Sequence, residues 1–247
     1  MHKTEKCHNY KLIIKYIGTN YFGWQRQPNQ ITVQQVIEDC LEDFFTEKIR
    51  LIASGRTDAG VHALGQVANF KVSNYKDEKE IYKYLNAVLP RDISIVGVKR
   101  VPPSFNARFS AKGKTYFYRI YTRPDPFLYG FGWFISKKLN IERMEEALNI
   151  IKKYKNLKSM AKKGDYLRDD VDIRELYLKY DGIVIEIHIT ASHFLRYMVR
   201  KIVGHVVRIG TGNLSLSQFI DILDKANPNA GIYIAPPEGL FLKEVYY

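Results

Sequence analysis

Apolar side chains follow two spacings along this chain, and these spacings predict a succession of strands and helices. Short runs rich in β-branched and aromatic residues predict strands. The predicted strands cover residues 11–17, 49–53, 65–70, 93–101, 115–121, 173–180, 183–190 and 240–246. Apolar residues that recur every three or four positions predict helices that begin at polar capping residues. The capping residues of the predicted helices are Thr32, Asp77, Asn140, Ser192 and Ser215.

The order of these elements predicts an α+β fold made of two similar halves. Pro102 and Pro103 interrupt the chain, and a related order of elements begins again behind them. Asp181-Gly182 predicts the turn of a later hairpin. We therefore expect an N-terminal half over residues 9–104 and a C-terminal half over residues 105–247, with mixed, mostly antiparallel sheets flanked by helices.

One loop between two predicted strands concentrates residues that could carry chemistry. It spans residues 54–63, is punctuated by two glycines, and contains the cation Arg56 and the carboxylate Asp58. A scaffold holds such a carboxylate while a ligand can still reach it, and Arg56 could stabilise its ionised form or bind a phosphate. The plain alternative is a turn aspartate with Arg56 as its surface ion-pair partner. Composition alone favours that alternative.

The charge of the chain indicates a polyanionic partner. The 247 residues include 38 Lys plus Arg against 26 Asp plus Glu, which gives a formal net charge of +12. The segment 99–138 contains nine cations, eleven aromatic residues and a single acid, Asp125. Cations interleaved with aromatics suit a surface that binds RNA phosphates and stacks unpaired bases. A uniform charge distribution would instead have favoured a generally basic protein without a specific partner.

Further features limit the class of protein. Cys7 and Cys40 lie far apart and indicate free thiols in a reducing compartment. No apolar run approaches the roughly 18 residues that span a bilayer, and residues 1–9 are too polar for a signal peptide. No His or Cys pattern has metal-ligand spacing, and no nucleotide-binding fingerprint occurs. We expect a cytoplasmic protein without a membrane anchor, metal or cofactor.

The loop around Asp58 resembles a known family signature. Its string SGRTDAGVHA, followed by Gly65-Gln66-Val67, is similar to the signature of the tRNA pseudouridine synthase A family. The resemblance continues in the strings GWQRQP, FNARFSA, FLRYMVRKIVG and APPEGLFL. Together these strings span nearly all of the chain after residue 9. The chain departs from the family pattern at residues 155–174, where a charged and shortened segment leaves local RNA contacts in question.

The resemblance implies a fold, an activity and an assembly. It implies the pseudouridine synthase fold, with both halves forming one catalytic unit. It implies isomerisation of uridine to pseudouridine at positions 38, 39 and 40 of the anticodon stem and loop of tRNA. This reaction is redox-neutral and needs no cofactor. The family pattern also implies a homodimer that binds tRNA.

The resemblance also assigns roles to individual residues. Asp58 is the catalytic aspartate, acting on the base, on C1′ of the ribose or as a base toward a ribose proton. Tyr116 corresponds to the substrate-binding tyrosine, although an ordinary strand aromatic or a role for Tyr118 remains open. Arg200 corresponds to an arginine that pairs with the aspartate, with a solvated helix-face arginine as the alternative. Arg56 is assigned to phosphate binding or base extrusion.

Two other functions compete with this assignment. The first is a non-catalytic RNA-binding or RNA-chaperone protein, which the basic and aromatic composition also fits. The second is a metal-dependent nuclease that uses Asp58, which the missing ligand pattern disfavours. Arg196, one predicted helical turn before Arg200, is a further candidate for phosphate contact.

Overall fold

The computed structural model describes residues 7–164 and 170–247 of the chain. It divides into two compact units, Met1–Lys112 with Leu242–Tyr247, and Gly113–Phe241. The division into functional halves at residues 9–104 and 105–247 stays a prediction. The two compact units are defined by the packing of the chain, which does not test which residues act together in function. Part of the divergent segment, residues 165–169, lies outside the described residues.

The first unit is built on antiparallel strands. Strand β1 pairs with β3 and β4, and the short β2 pairs with β3. The last strand of the chain, β9, lies on the other side of β3. The strand bounds are β1 His8–Tyr16, β2 Ile52–Ala53, β3 His62–Val72, β4 Ile93–Val101 and β9 Leu240–Tyr246. Tyr10, Leu12 and Ile14 alternate along β1 and are fully buried, so one face of this strand forms core.

Two helices bury apolar residues in the core of this unit. They are α1, Val33–Phe45, and α2, Glu78–Val88. The Thr32 hydroxyl accepts a hydrogen bond from the Gln35 backbone N–H at the start of α1. Asp77 and Glu80 form a reciprocal capping box at the start of α2. Both predicted helix starts are therefore confirmed.

The predicted second strand is too long. Only Ile52–Ala53 is a strand, although residues 49–53 are apolar enough to predict one. The backbone N–H of Ile49 donates to the Glu42 carboxylate, and that of Leu51 donates to the Glu38 carboxylate. Because two acidic side chains of α1 take these donors, the segment is held by the helix instead of by a neighbouring strand.

The second unit contains a second antiparallel arrangement. Strand β5 pairs with β8 and β8 pairs with β7, whereas β6 runs parallel to β5. The bounds are β5 Gly113–Tyr121, β6 Trp133–Phe134, β7 Ile173–Tyr180 and β8 Val184–Ala191. The predicted hairpin is confirmed between β7 and β8. At its turn the Asp181 carboxylate accepts the backbone N–H groups of Ile183 and Val184.

Three helices belong to the second unit. They are α3 Ile141–Ile151, α4 Met198–Gly210 and α5 Leu216–Asp224. The Asn140 side chain caps α3, and Ser215 forms a capping box with Gln218 at α5, as predicted. Short 3-10 turns occupy Lys158–Met160 and Pro237–Gly239.

The predicted start of α4 is wrong. Ser192 does not cap this helix, which begins at Met198 and not at His193. Tyr197 adopts the left-handed conformation, with φ 65°, and a right-handed helix cannot continue through such a residue. Arg196 therefore lies outside the helix, in the segment that leads into it.

The described residues contain nine strands and five α-helices, and β5–β6 is the single parallel pair among the registers given above. This confirms the predicted α+β class with mostly antiparallel pairing. No helix in the described part of the chain combines the length and apolar character that a bilayer crossing requires.

Candidate active site

The loop that carries Asp58 is attached at its beginning to strand β3. The Ser54 backbone N–H donates to the Val67 carbonyl at 2.8 Å, and the Ser54 hydroxyl donates to Oε1 of Gln66 at 2.8 Å. The amide nitrogen of Gln66 donates in turn to the Gly55 carbonyl at 2.9 Å. Ser54 and Gln66 are both buried, so these bonds are shielded from water. The loop therefore leaves the sheet in a fixed direction.

The middle of the loop is held by two aromatic residues. The hydroxyl groups of Tyr16 and Thr57 lie 2.8 Å apart, and the Trp24 backbone N–H donates to the Thr57 carbonyl at 3.1 Å. Burial raises the pKa of Tyr16 to about 12, although hydrogen bonds to Thr57 and Gln66 act in the opposite direction. The Trp24 ring is 1% exposed and packs on Tyr16, so this tryptophan supports the loop from the core.

The end of the loop is a tight turn into β3. The Val61 backbone N–H donates to the Asp58 carbonyl, and Gly60 takes a positive φ of 76°. The buried His62 accepts the Gly18 backbone N–H through Nδ1 at 3.1 Å. Because Nδ1 accepts this bond, it carries no proton. Residues on both sides of Asp58 are thus anchored, which fixes the position of the aspartate backbone.

The two charged residues of the loop differ in exposure. The Asp58 side chain is half-buried, whereas Arg56 is exposed. Within the described ranges the Arg56 guanidinium makes no ion pair, so the alternative of an Arg56–Asp58 surface pair is not found. A half-buried carboxylate on an anchored loop can reach a ligand while keeping a defined geometry. This is the arrangement that a nucleophile or a general base needs.

In the second unit, Tyr116 and Tyr118 lie on the same side of β5 but in different surroundings. Tyr118 is fully buried, its hydroxyl donates to the Pro236 carbonyl at 2.8 Å, and burial raises its pKa strongly. Tyr116 is 7% exposed, and the ring of Phe194 meets it edge-on at 4.8 Å. The hydroxyl of Tyr118 is therefore engaged in the core, and Tyr116 remains the candidate for substrate contact.

Arg200 lies in the first turn of α4 and is fixed by the segment that precedes the last strand. Its Nε donates to the Ala235 carbonyl at 2.8 Å, and the Ala235 backbone N–H donates to the Arg200 carbonyl at 2.9 Å. Its guanidinium carbon lies 5.2 Å from the centre of the Tyr197 ring. These contacts argue against an arginine that is only solvated on a helix face.

The basic and aromatic segment 99–138 divides into core and surface residues. Phe117, Tyr118 and Tyr121 are buried in strand β5. Phe109, Phe127 and Tyr129 are 79%, 91% and 81% exposed. Rings as exposed as these three are available for stacking on bases. Phe22, in the loop between β1 and α1, is also exposed, at 54%.

Several supporting residues could not be identified as such from the sequence. Gln66, Thr57 and Tyr16 hold the Asp58 loop, and Phe194 packs on Tyr116. All four lie in or near the matching strings, but their contacts join positions far apart in the chain. Among the described residues, no group of three or more His, Cys, Asp or Glu side chains is arranged to hold a metal ion.

Comparisons with known proteins identify similar chains. A sequence model of the tRNA pseudouridine synthase family matches residues 12–110 and 169–247. A protein of Aquifex aeolicus (strain VF5) named tRNA pseudouridine synthase A is 40% identical over 242 residues, covering 96% of this chain and 98% of the relative. Proteins of the same name from Dictyoglomus turgidum and, numbered 2, from Clostridium perfringens are 39% and 35% identical, each over 97% of this chain and 99% of the relative.

The family match includes three of the four candidate site residues. Arg56, Asp58 and Arg200 lie within the matched residues, whereas Tyr116 lies in the interval between the two matched ranges. The pairwise similarities extend over nearly the whole chain.

Proposed function

The chain belongs to the tRNA pseudouridine synthase family, and from this premise we propose that it isomerises uridine to pseudouridine in tRNA. The targets we propose are positions 38, 39 and 40 of the anticodon stem and loop. The observation that carries the proposal is the anchored loop that presents the half-buried Asp58. The net charge of +12 and the exposed rings of Phe127 and Tyr129 support a nucleic-acid substrate.

The reaction defines what the protein must supply. The bond between C1′ and N1 breaks, the uracil turns, and a bond between C1′ and C5 forms, while N1 gains a proton and C5 loses one. A carboxylate can act in this sequence as a nucleophile or as a base. The target base must also leave its stack, which requires groups that hold it outside the helix.

The candidate residues receive separate roles in this proposal. Asp58 is the catalytic carboxylate. Tyr116 binds the substrate uridine through its ring or its hydroxyl. Arg200 and Arg56 bind substrate as cations, with Arg56 directed at phosphate because its side chain is exposed.

The test compares the unmutated protein with Asp58→Asn. Asparagine keeps the size of the side chain but removes its charge and basicity. We expect tritium release from C5-labelled uridine in tRNA with the unmutated protein, and roughly 10³-fold slower release with the variant, as is typical when a residue that acts covalently or as the base is lost. Binding of tRNA should be retained by both proteins.

Each competing function gives a different result in this assay. Tight tRNA binding without release by the folded, unmutated protein would identify a non-catalytic RNA-binding protein. Cleavage of the RNA that a chelator stops would identify a metal-dependent nuclease. Equal release by both proteins would remove Asp58 from the chemistry.

The assembly and location belong to the same proposal. We propose a homodimer that works in the cytoplasm, where its tRNA substrate is found. Light scattering should give a mass of about twice 28.8 kDa. An active protein at the monomer mass would remove the dimer from the proposal.

A further inference from the structure

Three cations surround the ring of Tyr197. Nζ of Lys162 and the guanidinium carbon of Arg196 each lie 5.4 Å from the ring centre, and the guanidinium carbon of Arg200 lies 5.2 Å from it. We call these four residues the Tyr197 cluster. Such distances are those of cation–π contacts, so the aromatic ring gathers charges that would otherwise repel one another.

The cluster is assembled from two segments that are distant in sequence. The Lys162 backbone N–H donates to the Arg196 carbonyl at 2.9 Å, which fixes the two side chains on neighbouring backbone. Tyr197 itself takes the left-handed conformation, with φ 65°. A bulky residue rarely adopts this conformation, and such residues are concentrated at functional sites. The turn sets Arg196 outside α4 while Arg200 remains inside it.

Two of the three charges of the cluster are exposed to solvent. Lys162 and Arg196 are exposed, and the first turn of α4 contains no acidic residue. Arg196 makes no ion pair with any residue in the described ranges. Arg196 therefore presents its positive charge beside the cations of Lys162 and Arg200 around one ring, and such a concentration of cations attracts anions.

We propose that the Tyr197 cluster binds backbone phosphates of the RNA, with Lys162 and Arg196 each contacting one phosphate. This proposal rests on the proposed function and extends substrate binding from Arg200 to Lys162 and Arg196. Arginine forms paired hydrogen bonds to phosphate oxygens, and lysine binds phosphate as a point charge. The Tyr197 ring holds both cations in place. Lys162 belongs to the segment 155–174, so this segment contributes an RNA contact of its own.

The experiment measures tRNA affinity as a function of salt for a double variant, Lys162→Gln with Arg196→Gln. The logarithm of the tRNA association constant falls as the logarithm of the salt concentration rises. Each lost phosphate contact should make this negative slope less steep by roughly 0.9 on a duplex stem. Two contacts change the slope by about 1.8, so between 50 and 200 mM salt the unmutated protein should lose ~12-fold more affinity than the variant does. Glycine tolerates the positive φ at position 197 but has no ring, so Tyr197→Gly should also make the slope less steep.

A matched control separates this effect from the loss of charge as such. Lys79→Gln with Lys83→Gln removes two exposed cations from α2, in the other compact unit, and gives the same formal net charge, 12 − 2 = +10. This control should keep the slope of the unmutated protein. A slope in the Lys162/Arg196 variant equal to that of the unmutated protein or of the control would overturn the proposal.

Two further measurements complete the test. In the tritium-release assay, the Lys162/Arg196 variant should have a much higher KM and a kcat that is little changed. If the unmutated protein releases no tritium, the proposed function fails. The salt dependence of tRNA binding would still test the cluster in that case. Inorganic phosphate should compete with tRNA no better than chloride at equal ionic strength. Competition that is specific to phosphate and absent from the variant would assign the cluster to a small phosphorylated ligand and overturn the RNA assignment.

Discussion

A single methyl group added at Gly23 should displace the backbone that precedes Asp58. Gly23 has φ 80°, and a Cβ at this position would lie 2.6 Å from the Thr57 carbonyl oxygen and 3.0 Å from the Asp58 carbonyl carbon. Gly212 provides a matched control, because it has φ 75° and a Cβ there would meet no atom within 4 Å. The two Gly→Ala variants share the conformational strain and differ in the collision.

The structure gives the size of each effect. Alanine at positive φ costs about 1–2 kcal/mol, of which about 0.4–1 is offset because the unfolded chain is also restricted. Relief of the collision requires a shift of about 0.8 Å, the difference between 3.4 Å for ordinary contact and 2.6 Å. Overpacking of this kind costs a further 1–3 kcal/mol or so. A misplacement near 1 Å at a reacting group can lower the rate about 10²-fold.

The assay is tritium release at saturating tRNA, together with urea unfolding of both variants. Gly23→Ala should be roughly 1–3 kcal/mol less stable than Gly212→Ala, and its kcat should fall about 10²-fold while that of Gly212→Ala is unchanged. Equal kcat values in two folded variants would refute the reasoning, since the collision would then not reach the catalytic carboxylate.

Two other variants test the support of the loop and the substrate surface. Tyr16→Phe should cost about 1–3 kcal/mol at neutral pH, because the buried Thr57 hydroxyl loses its partner. The pKa of Tyr16 in the folded protein, about 12, lies above the ordinary value of 10.0. The protonated hydroxyl therefore contributes fully to the free energy of unfolding below pH 10, and this contribution is lost as pH rises toward 12. The stability gap between the two proteins should therefore narrow over that range, and a constant gap would contradict this. Phe127→Ala with Tyr129→Ala should leave stability within about 0.5 kcal/mol, because both rings are exposed. If the rings stack on bases, tRNA binding should weaken by about 1–3 kcal/mol per ring, and unchanged affinity would exclude the stacking role.

Local chemistry explains which elements could be predicted from the sequence. The caps at Asp77, Asn140 and Ser215 bind backbone N–H groups two or three residues away, so the pattern contains the whole interaction. The start of α4 could not be predicted in this way. Residues 193–197 match a helical pattern, but the left-handed Tyr197 ends it, and no local signal marks that conformation in a tyrosine.

The same distinction between local and long-range interactions applies to the candidate site. The loop around Asp58 could be located because its residues are contiguous and resemble a family signature. Its supports could not, because the pair Tyr16–Thr57 joins residues 41 positions apart. The burial of Trp24 was equally undetermined, since an aromatic residue in a glycine-containing loop suits either a core or a base-stacking role.

Residues Leu242–Tyr247 complete a compact unit whose other residues end at Lys112. On the ribosome, the intervening residues 113–241 number 241 − 112 = 129 and take roughly 6–26 s to add at about 5–20 residues per second. Until then one side of β3 lacks its β9 neighbour, and the Ala107 carbonyl lacks the hydroxyl of Tyr247 that binds it. An open strand edge invites pairing with other chains. The nascent protein thus passes through a period of exposure that lasts until residues 242–247 emerge, and variants that weaken β9 should be recognised first by lower yield in cells.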